Sequence, residues 1–250
     1  MWFDSSLVAE IVESVPEWAV VPLLFVSYLG SIYVIGPTVA YAFVSERYSR
    51  GIDWIDRTAV RSWPVIVLGG YALFVALKPL FGVGRPPVDG PVAAGQLPTV
   101  LQPLYDRAVS FSTGSFPSGH AIASSVFWGL LVVDLRLGMV RRRLVGGILL
   151  ICLIGFSRVA LGTHYVGDVV GGIAIGLFFL GCALVVRRRV TDPLLFLIAV
   201  AGVPVFVGVY LGRYLDLALI SVPLLILSVL YRRDHYEKQS VFTDSLVESE

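Results

Sequence analysis

The sequence predicts an all-α, polytopic transmembrane bundle of six to seven helices, and three observations carry that reading. Of 250 residues, 56% are hydrophobic and only 15% are charged, against roughly 25% charged in soluble domains. The apolar residues fall in sustained runs near the length of about 20 that crosses a bilayer, enough for roughly seven crossings and little else. Alternating strands of about ten residues are absent from the pattern, so backbone groups within the hydrocarbon must be satisfied inside helices. Residues 1–250 therefore read as one integral-membrane unit.

Spans are expected near 19–44, 63–81, 119–136, 144–162, 166–186, 194–211 and 215–231. The opening MWFDSSLVAE has no basic stretch ahead of an apolar one, so it does not read as a cleaved signal. Pro22, Gly30, Pro37, Pro204 and Pro223 are ordinary within membrane helices, and the Gly172–Gly176 spacing lets helices approach closely. Cys152 and Cys182 lie in apolar runs and read as packing residues, not as a disulfide or zinc framework. The formal charge of +1, with basic residues in short bursts, excludes a nucleic-acid footprint.

Those bursts define sidedness. Arg47, Arg50, Arg57 and Arg61 follow span one; Arg136 and Arg141 to Arg143 follow span three; Arg187 to Arg189 follow span five; Arg232, Arg233 and Lys238 lie in the tail. Together they are fourteen of the 19 Lys and Arg, and the positive-inside tendency puts their face in the cytoplasm. The N-terminal segment carries Asp4, Glu10, Glu13 and Glu17 with no basic residue, and is expected outside. Seven crossings leave the C-terminus cytoplasmic; a re-entrant sixth or seventh span inverts only the tail.

The connection 82–117 is long and rich in Gly and Pro, which marks a structureless loop as disordered or functional. Gln96, Tyr105 and Arg107 are polar candidates within it, with loop solvation as the alternative reading. At the same outer face, Lys78 and Arg85 close span two, Ser118-Gly119-His120 opens span three, and Ser157-Arg158 with His164 and Asp168 bracket the turn between spans four and five. Snorkelling explains Lys78 alone. It does not explain Arg158, His164 and Asp168 in one short turn, and ionisable residues at membrane depth mark functional sites.

Fixed cations beside two imidazoles suit a phosphoryl group, whose oxygens gather charge in the transition state. Gly119 permits close backbone approach, the start of span three directs N–H groups at an anion, and Ser118 offers a hydroxyl. One histidine then attacks phosphorus while the other protonates the departing alkoxide. His164 and Asp168 are four apart, so a helix puts the carboxylate beside one ring nitrogen and leaves the other exposed, as an oriented nucleophile requires. The acid role falls to His120.

These residues resemble a known family. Lys78-x6-Arg85-Pro86, Pro117-Ser118-Gly119-His120 and Ser157-Arg158-x5-His164-x3-Asp168 match the three-part signature of the type 2 phosphatidic acid phosphatase (PAP2) superfamily at all eleven specified positions, over residues 78–168. The resemblance implies a metal-independent, cofactor-free lipid phosphate phosphatase in a cell membrane, its site at the outer end of a helical bundle. It implies His164 as nucleophile, Asp168 as its partner and His120 as general acid, with Lys78, Arg85, Ser118, Gly119 and Arg158 holding phosphate. Substrates of that class are phosphatidylglycerophosphate, phosphatidate or a polyprenyl diphosphate, received from membrane lipid. The superfamily's soluble vanadium-dependent haloperoxidases do not fit seven apolar spans. The competing classes are an anion-binding transporter, for which inverted repeats are not visible, and an inactive scaffold, against which His120, His164 and Asp168 stand.

Overall fold

A computed structural model of the chain describes residues 2–48, 54–55, 57–110, 113–190 and 192–212. They form helices α1 (Ser5–Glu13), α2 (Glu17–Tyr28), α3 (Ile32–Tyr48), α4 (Arg57–Val60), α5 (Trp63–Phe81), α6 (Gln102–Val109), α7 (Gly119–Asp134), α8 (Val140–Ala160), α9 (Val166–Arg189), α10 (Pro193–Leu197) and α11 (Val203–Tyr210). Among the described residues there is no strand, only an isolated bridge between Ile55 and Leu135. Helices α5, α8 and α9 are long and apolar enough to cross a membrane, the bent pair α2–α3 qualifies as a fourth crossing, and α7 is a shorter apolar helix. The expected all-α polytopic bundle is the observed architecture.

Several expected boundaries move, each for a local reason. Span one is two helices meeting at 43°. The break at Leu29–Ser31 lets Gly30 lie where a Cβ would sit 2.7 Å from Ile154 and 3.2 Å from the His120 carbonyl, and Trp128 Nε1 donates to the Leu29 carbonyl at 3.2 Å. The N-terminal segment, expected only as an acidic outer tail, folds into α1. Asp4 caps it by accepting from Ser6 N at 2.9 Å, and Val8 and Val12 are buried in a cluster with Val159 and Val169. The connection 82–117 is not structureless: it contains a 3-10 turn, Ala94–Gln96, and α6. Arg141 to Arg143 lie in the first turn of α8, not in a loop. Span six is interrupted, α10 passing through a π-turn, Ile198–Gly202, into α11, where Pro204 supplies no N–H. Span seven, near 215–231, and His235 fall outside the described residues. Cys152 and Cys182 are exposed on the outer surface of α8 and α9 rather than packed inside.

The most extensive helix contact among the described residues is α7 against α9. Added Cβ atoms at Gly172 and Gly176 would lie 2.8 Å from the Cβ atoms of Ala121 and Ser125 respectively, so the glycine pair allows backbone approach as expected. That contact fixes the start of α7 against the start of α9, the two ends that carry His120 and Asp168.

The opposite end is closed by a polar clamp. Asp134, at the end of α7, is 5% exposed. It accepts from Trp63 Nε1 at 2.8 Å and from both Arg187 Nη atoms at 2.8 Å each, tying α5, α7 and α9 together. Asp134→Ala strands a buried indole N–H and a largely buried guanidinium, so it is expected to cost about 3 kcal/mol, the lower end for breaking a buried pair, because Arg187 retains some solvent. Denaturant unfolding in detergent checks this, with Asp134→Asn expected to lose less because it keeps an acceptor for Trp63.

Candidate active site

Helix α5 ends in the left-handed Gly82, φ 59°, with Lys78 in its last turn and Arg85 three residues beyond. Both cations grip the segment that leads into α7. Lys78 Nζ donates to Gly114 O at 2.9 Å and Thr113 Oγ1 at 3.2 Å, and Arg85 Nε donates to Thr113 O at 3.0 Å. The same segment is tied back when Ser115 N donates to Val83 O at 2.8 Å.

The turn between α8 and α9 supplies the second half. Thr163 closes α8 by donating N–H and Oγ1 to Arg158 O at 3.1 and 2.7 Å. Its own carbonyl accepts from Arg85 Nη1 at 2.6 Å. His164, 2% exposed, places Nδ1 3.2 Å from Asp168 Oδ2 and Nε2 3.5 Å from Arg85 Nη1. The carboxylate only accepts, so Nδ1 carries the proton and the Nε2 lone pair faces the cavity. Asp168 Oδ2 also accepts from Tyr165 N at 2.8 Å and from Ser115 Oγ. Burial, then the charges of Arg85, Arg158 and Lys78, hold the His164 imidazole well below its ordinary value of 6.5. Burial brings Arg85 down to about 10, with the Asp168 charge acting the other way, so it remains a cation at neutral pH.

A cavity of about 450 Å³ collects these groups: Lys78, Arg85, Gly119, His120 and His164 all line it. Three of the sequence candidates stand behind its wall. Asp168 is fully buried behind His164, and Ser118 is fully buried as the cap of α7, accepting from Ala121 N at 3.5 Å. Arg158 is fully buried, donating to Ser27 Oγ at 2.6 Å and Ala108 O at 2.9 Å. Of the loop candidates, Arg107 lines the cavity. Gln96 instead accepts from Ala93 N at 2.7 Å within its own turn, and Tyr105 is buried with its hydroxyl donating to Val92 O at 2.8 Å.

Sequence reasoning missed Ser115, whose hydroxyl orients Asp168, and Thr163, whose carbonyl orients Arg85. It also missed Ser27, Tyr28, Ser31 and Tyr33, which line the cavity from α2, the break and α3. A serine three residues before a helix cap carries no spacing signal. The break in span one, which turns these hydroxyls toward the cavity, is not visible in hydropathy.

Two imidazoles, one backed by a carboxylate, share one end of a helical bundle with Lys78 and Arg85, and this combination defines the class: a multi-pass membrane protein with a basic, histidine-bearing cavity at one end. The chain belongs to the PAP2 superfamily, whose pattern residues 60–192 match. It is 34% identical over 89 residues to phosphatidylglycerophosphatase B of Bacillus subtilis (strain 168), covering 32% of this chain and 43% of that protein. It is 50% identical over 44 residues to lipid phosphate phosphatase delta of Arabidopsis thaliana, covering 18% and 11% of the two chains. These matches span less than half the length of either relative. The crystal structure of a transmembrane PAP2 type phosphatidylglycerolphosphate phosphatase from Bacillus subtilis shares the fold, with a TM-score of 0.57 and 19% identity over 75% of this chain and 85% of that one.

Proposed function

We propose that the protein, as one integral-membrane unit over 1–250 with its motif core at 78–168, hydrolyses a lipid phosphate monoester or diphosphate. The substrate class comprises phosphatidylglycerophosphate, phosphatidate and polyprenyl diphosphates, and the names of the relatives from Bacillus subtilis and Arabidopsis thaliana support it. The observation that carries the reading is the His164–Asp168 pair at 3.2 Å, with Nε2 turned to a cavity that His120 and Lys78 share.

In the first step the Nε2 lone pair of His164 attacks the terminal phosphorus as its bond to the departing oxygen breaks, the alkoxide oxygen of a monoester or the bridging phosphate oxygen of a diphosphate, and His120 gives its proton to that oxygen. His120 then takes a proton from water, the resulting hydroxide attacks phosphorus, and the N–P bond breaks to release inorganic phosphate and neutral His164. Asp168 holds the Nδ1 proton throughout. Lys78 and Arg85 meet the equatorial oxygens, Gly119 admits the anion to the start of α7 that Ser118 caps, and Arg158 adds its charge from behind the wall. Neither step draws on a metal. Release of inorganic phosphate from a lipid phosphate in detergent is expected to persist with excess chelator. Rapid acid-free quenching with a substrate radiolabelled on phosphorus is expected to leave label on the protein that is stable in alkali and lost in acid. Activity abolished by the chelator, or no label at any time, overturns the mechanism.

The site is proposed to face away from the cytosol, with the N-terminus outside and the C-terminus inside. In support, Arg61 precedes the start of α5, whereas Arg136 and Arg187 lie near the far ends of α7 and α9, opposite Lys78, His120 and Asp168. A single cysteine introduced near Arg142 is expected to be shielded from an impermeant thiol reagent in intact cells, and one near Pro91 to react. The background is a variant lacking Cys152 and Cys182, and reversed labelling inverts the orientation.

A further inference from the structure

The proposed chemistry uses one wall of the cavity, formed by the end of α5, the start of α7 and the turn before α9. The facing wall comes from the break between α2 and α3 and from α6, and it is polar for no reason the chemistry supplies. Arg107 reaches across from α6 and lies over the Tyr33 ring, its Cζ 4.6 Å from the ring centroid, with Nη2 donating to the Tyr33 hydroxyl. That hydroxyl accepts from Arg107, so its own proton is directed elsewhere. Ser31, at the break, is 6% exposed, lines the cavity, and its hydroxyl is buried without a hydrogen-bond partner. A buried hydroxyl left unsatisfied costs free energy unless something supplies its partner. Helix α6 is held in place independently: Tyr28 donates to Leu104 O at 2.9 Å and Arg158 to Ala108 O at 2.9 Å. Arg107 is therefore positioned rather than merely solvated. Among the described residues that line the cavity there is no carboxylate, so donors face donors across it.

The second wall also adjoins an apolar groove. Ile32 lines both this cavity and an apolar groove of about 260 Å³ that runs between α3 and α5 past Gly36, Val39, Phe43 and Leu68. Ile32, which joins the two, lies between Ser31 and Tyr33 in the chain, and Ser31, Tyr33 and Arg107 all line the cavity that also holds His164.

Resting on the phosphatase reading above, we propose that Arg107, Tyr33 and Ser31 form a second anion subsite. It binds a second phosphate that lies between the scissile phosphoryl group and the lipid tail. The preferred substrates are then lipids with two phosphates in sequence, a diphosphate or a phosphomonoester joined through a phosphodiester, over a lipid with one.

The test compares kcat/KM in detergent for phosphatidate, phosphatidylglycerophosphate and a polyprenyl diphosphate. Arg107→Gln is expected to lower the ratio of two-phosphate to one-phosphate substrate by about 10- to 100-fold, the range for a lost charge-assisted hydrogen bond. Tyr33→Phe and Ser31→Ala are expected to shift the ratio the same way by about threefold to tenfold each. A ratio that falls for the diphosphate alone, or for the phosphodiester alone, supports the subsite and identifies which source of second phosphate it takes. An unchanged ratio, whether all substrates slow equally or none does, overturns it.

A second measurement is independent of turnover. In the His164→Ala protein, inorganic pyrophosphate is expected to raise the unfolding temperature more than inorganic phosphate at equal concentration, and Arg107→Gln to erase the difference. Equal stabilisation by the two anions overturns the subsite. Should no lipid phosphate be hydrolysed while the pyrophosphate preference persists, the catalytic reading falls and the subsite stands.

Discussion

His164→Ala is expected to reduce release of inorganic phosphate by about 10⁴- to 10⁶-fold, the scale on which enzymes lose a covalent nucleophile. The side chains in contact with the His164 ring nitrogens cannot take its place: among the described residues these are the Arg85 guanidinium at Nε2 and the Asp168 carboxylate at Nδ1, one cationic and the other buried behind the ring. The loss is expected in kcat, with substrate binding retained, because Lys78, Arg85 and the second wall of the cavity are untouched. A turnover within tenfold of wild type would move the covalent step elsewhere. The same residue sets the pH response. Its imidazole is held well below 6.5, so the attacking neutral form persists as pH falls past that value, and the acid limb of kcat/KM lies beneath it. The unfolded chain binds the proton that the folded one refuses, so stability falls as pH drops below 6.5.

Hydropathy made the long crossings legible because a span must be apolar over its whole length. The family motif made one wall of the cavity legible, because the proposed phosphoryl chemistry restricts residue type at Lys78, Arg85, His120 and His164. What was not legible lacked either constraint. Helix α6 is only half-buried and amphipathic, so its Gly- and Pro-rich surroundings masked it, and the sense of Arg107 depended on which way α6 faced. The break at Leu29–Ser31 answers to packing against Ile154 and His120, residues more than 80 positions away. Counting Arg187 as a topology charge hid its bidentate pairing with the buried Asp134, a carboxylate that the sequence reading did not single out. Cys152 and Cys182 show the converse error: in lipid, an apolar run does not distinguish the packed face from the outer one.

Asp168→Asn is expected to lower kcat by about 10²- to 10³-fold while leaving expression near wild type, with a modest drop in unfolding temperature from the buried amide. Two donors besides His164 converge on Oδ2: Tyr165 N at 2.8 Å and Ser115 Oγ. They oblige the asparagine to put its carbonyl oxygen there and its amide nitrogen at the Oδ1 position, which is buried without a hydrogen-bond partner. The carbonyl still accepts from His164 Nδ1–H, so the imidazole keeps the tautomer and orientation that aim Nε2 at phosphorus. What disappears is the negative charge that balances the ring as it becomes cationic in bonding to phosphorus. The loss is therefore smaller than that of a variant forced into the wrong tautomer, for which about 10⁴ is typical. Ser115→Ala in the Asp168→Asn background separates the two contributions: without the hydroxyl, only Tyr165 N holds the amide's orientation, some molecules flip, and kcat is expected to fall further. The same Ser115→Ala change in wild type leaves a symmetric carboxylate that cannot flip to a donor, so its effect there is expected to be smaller. Equal effects of Ser115→Ala in both backgrounds would remove Ser115 from that orienting role, and an Asp168→Asn protein as active as wild type would remove the carboxylate from the proposed chemistry.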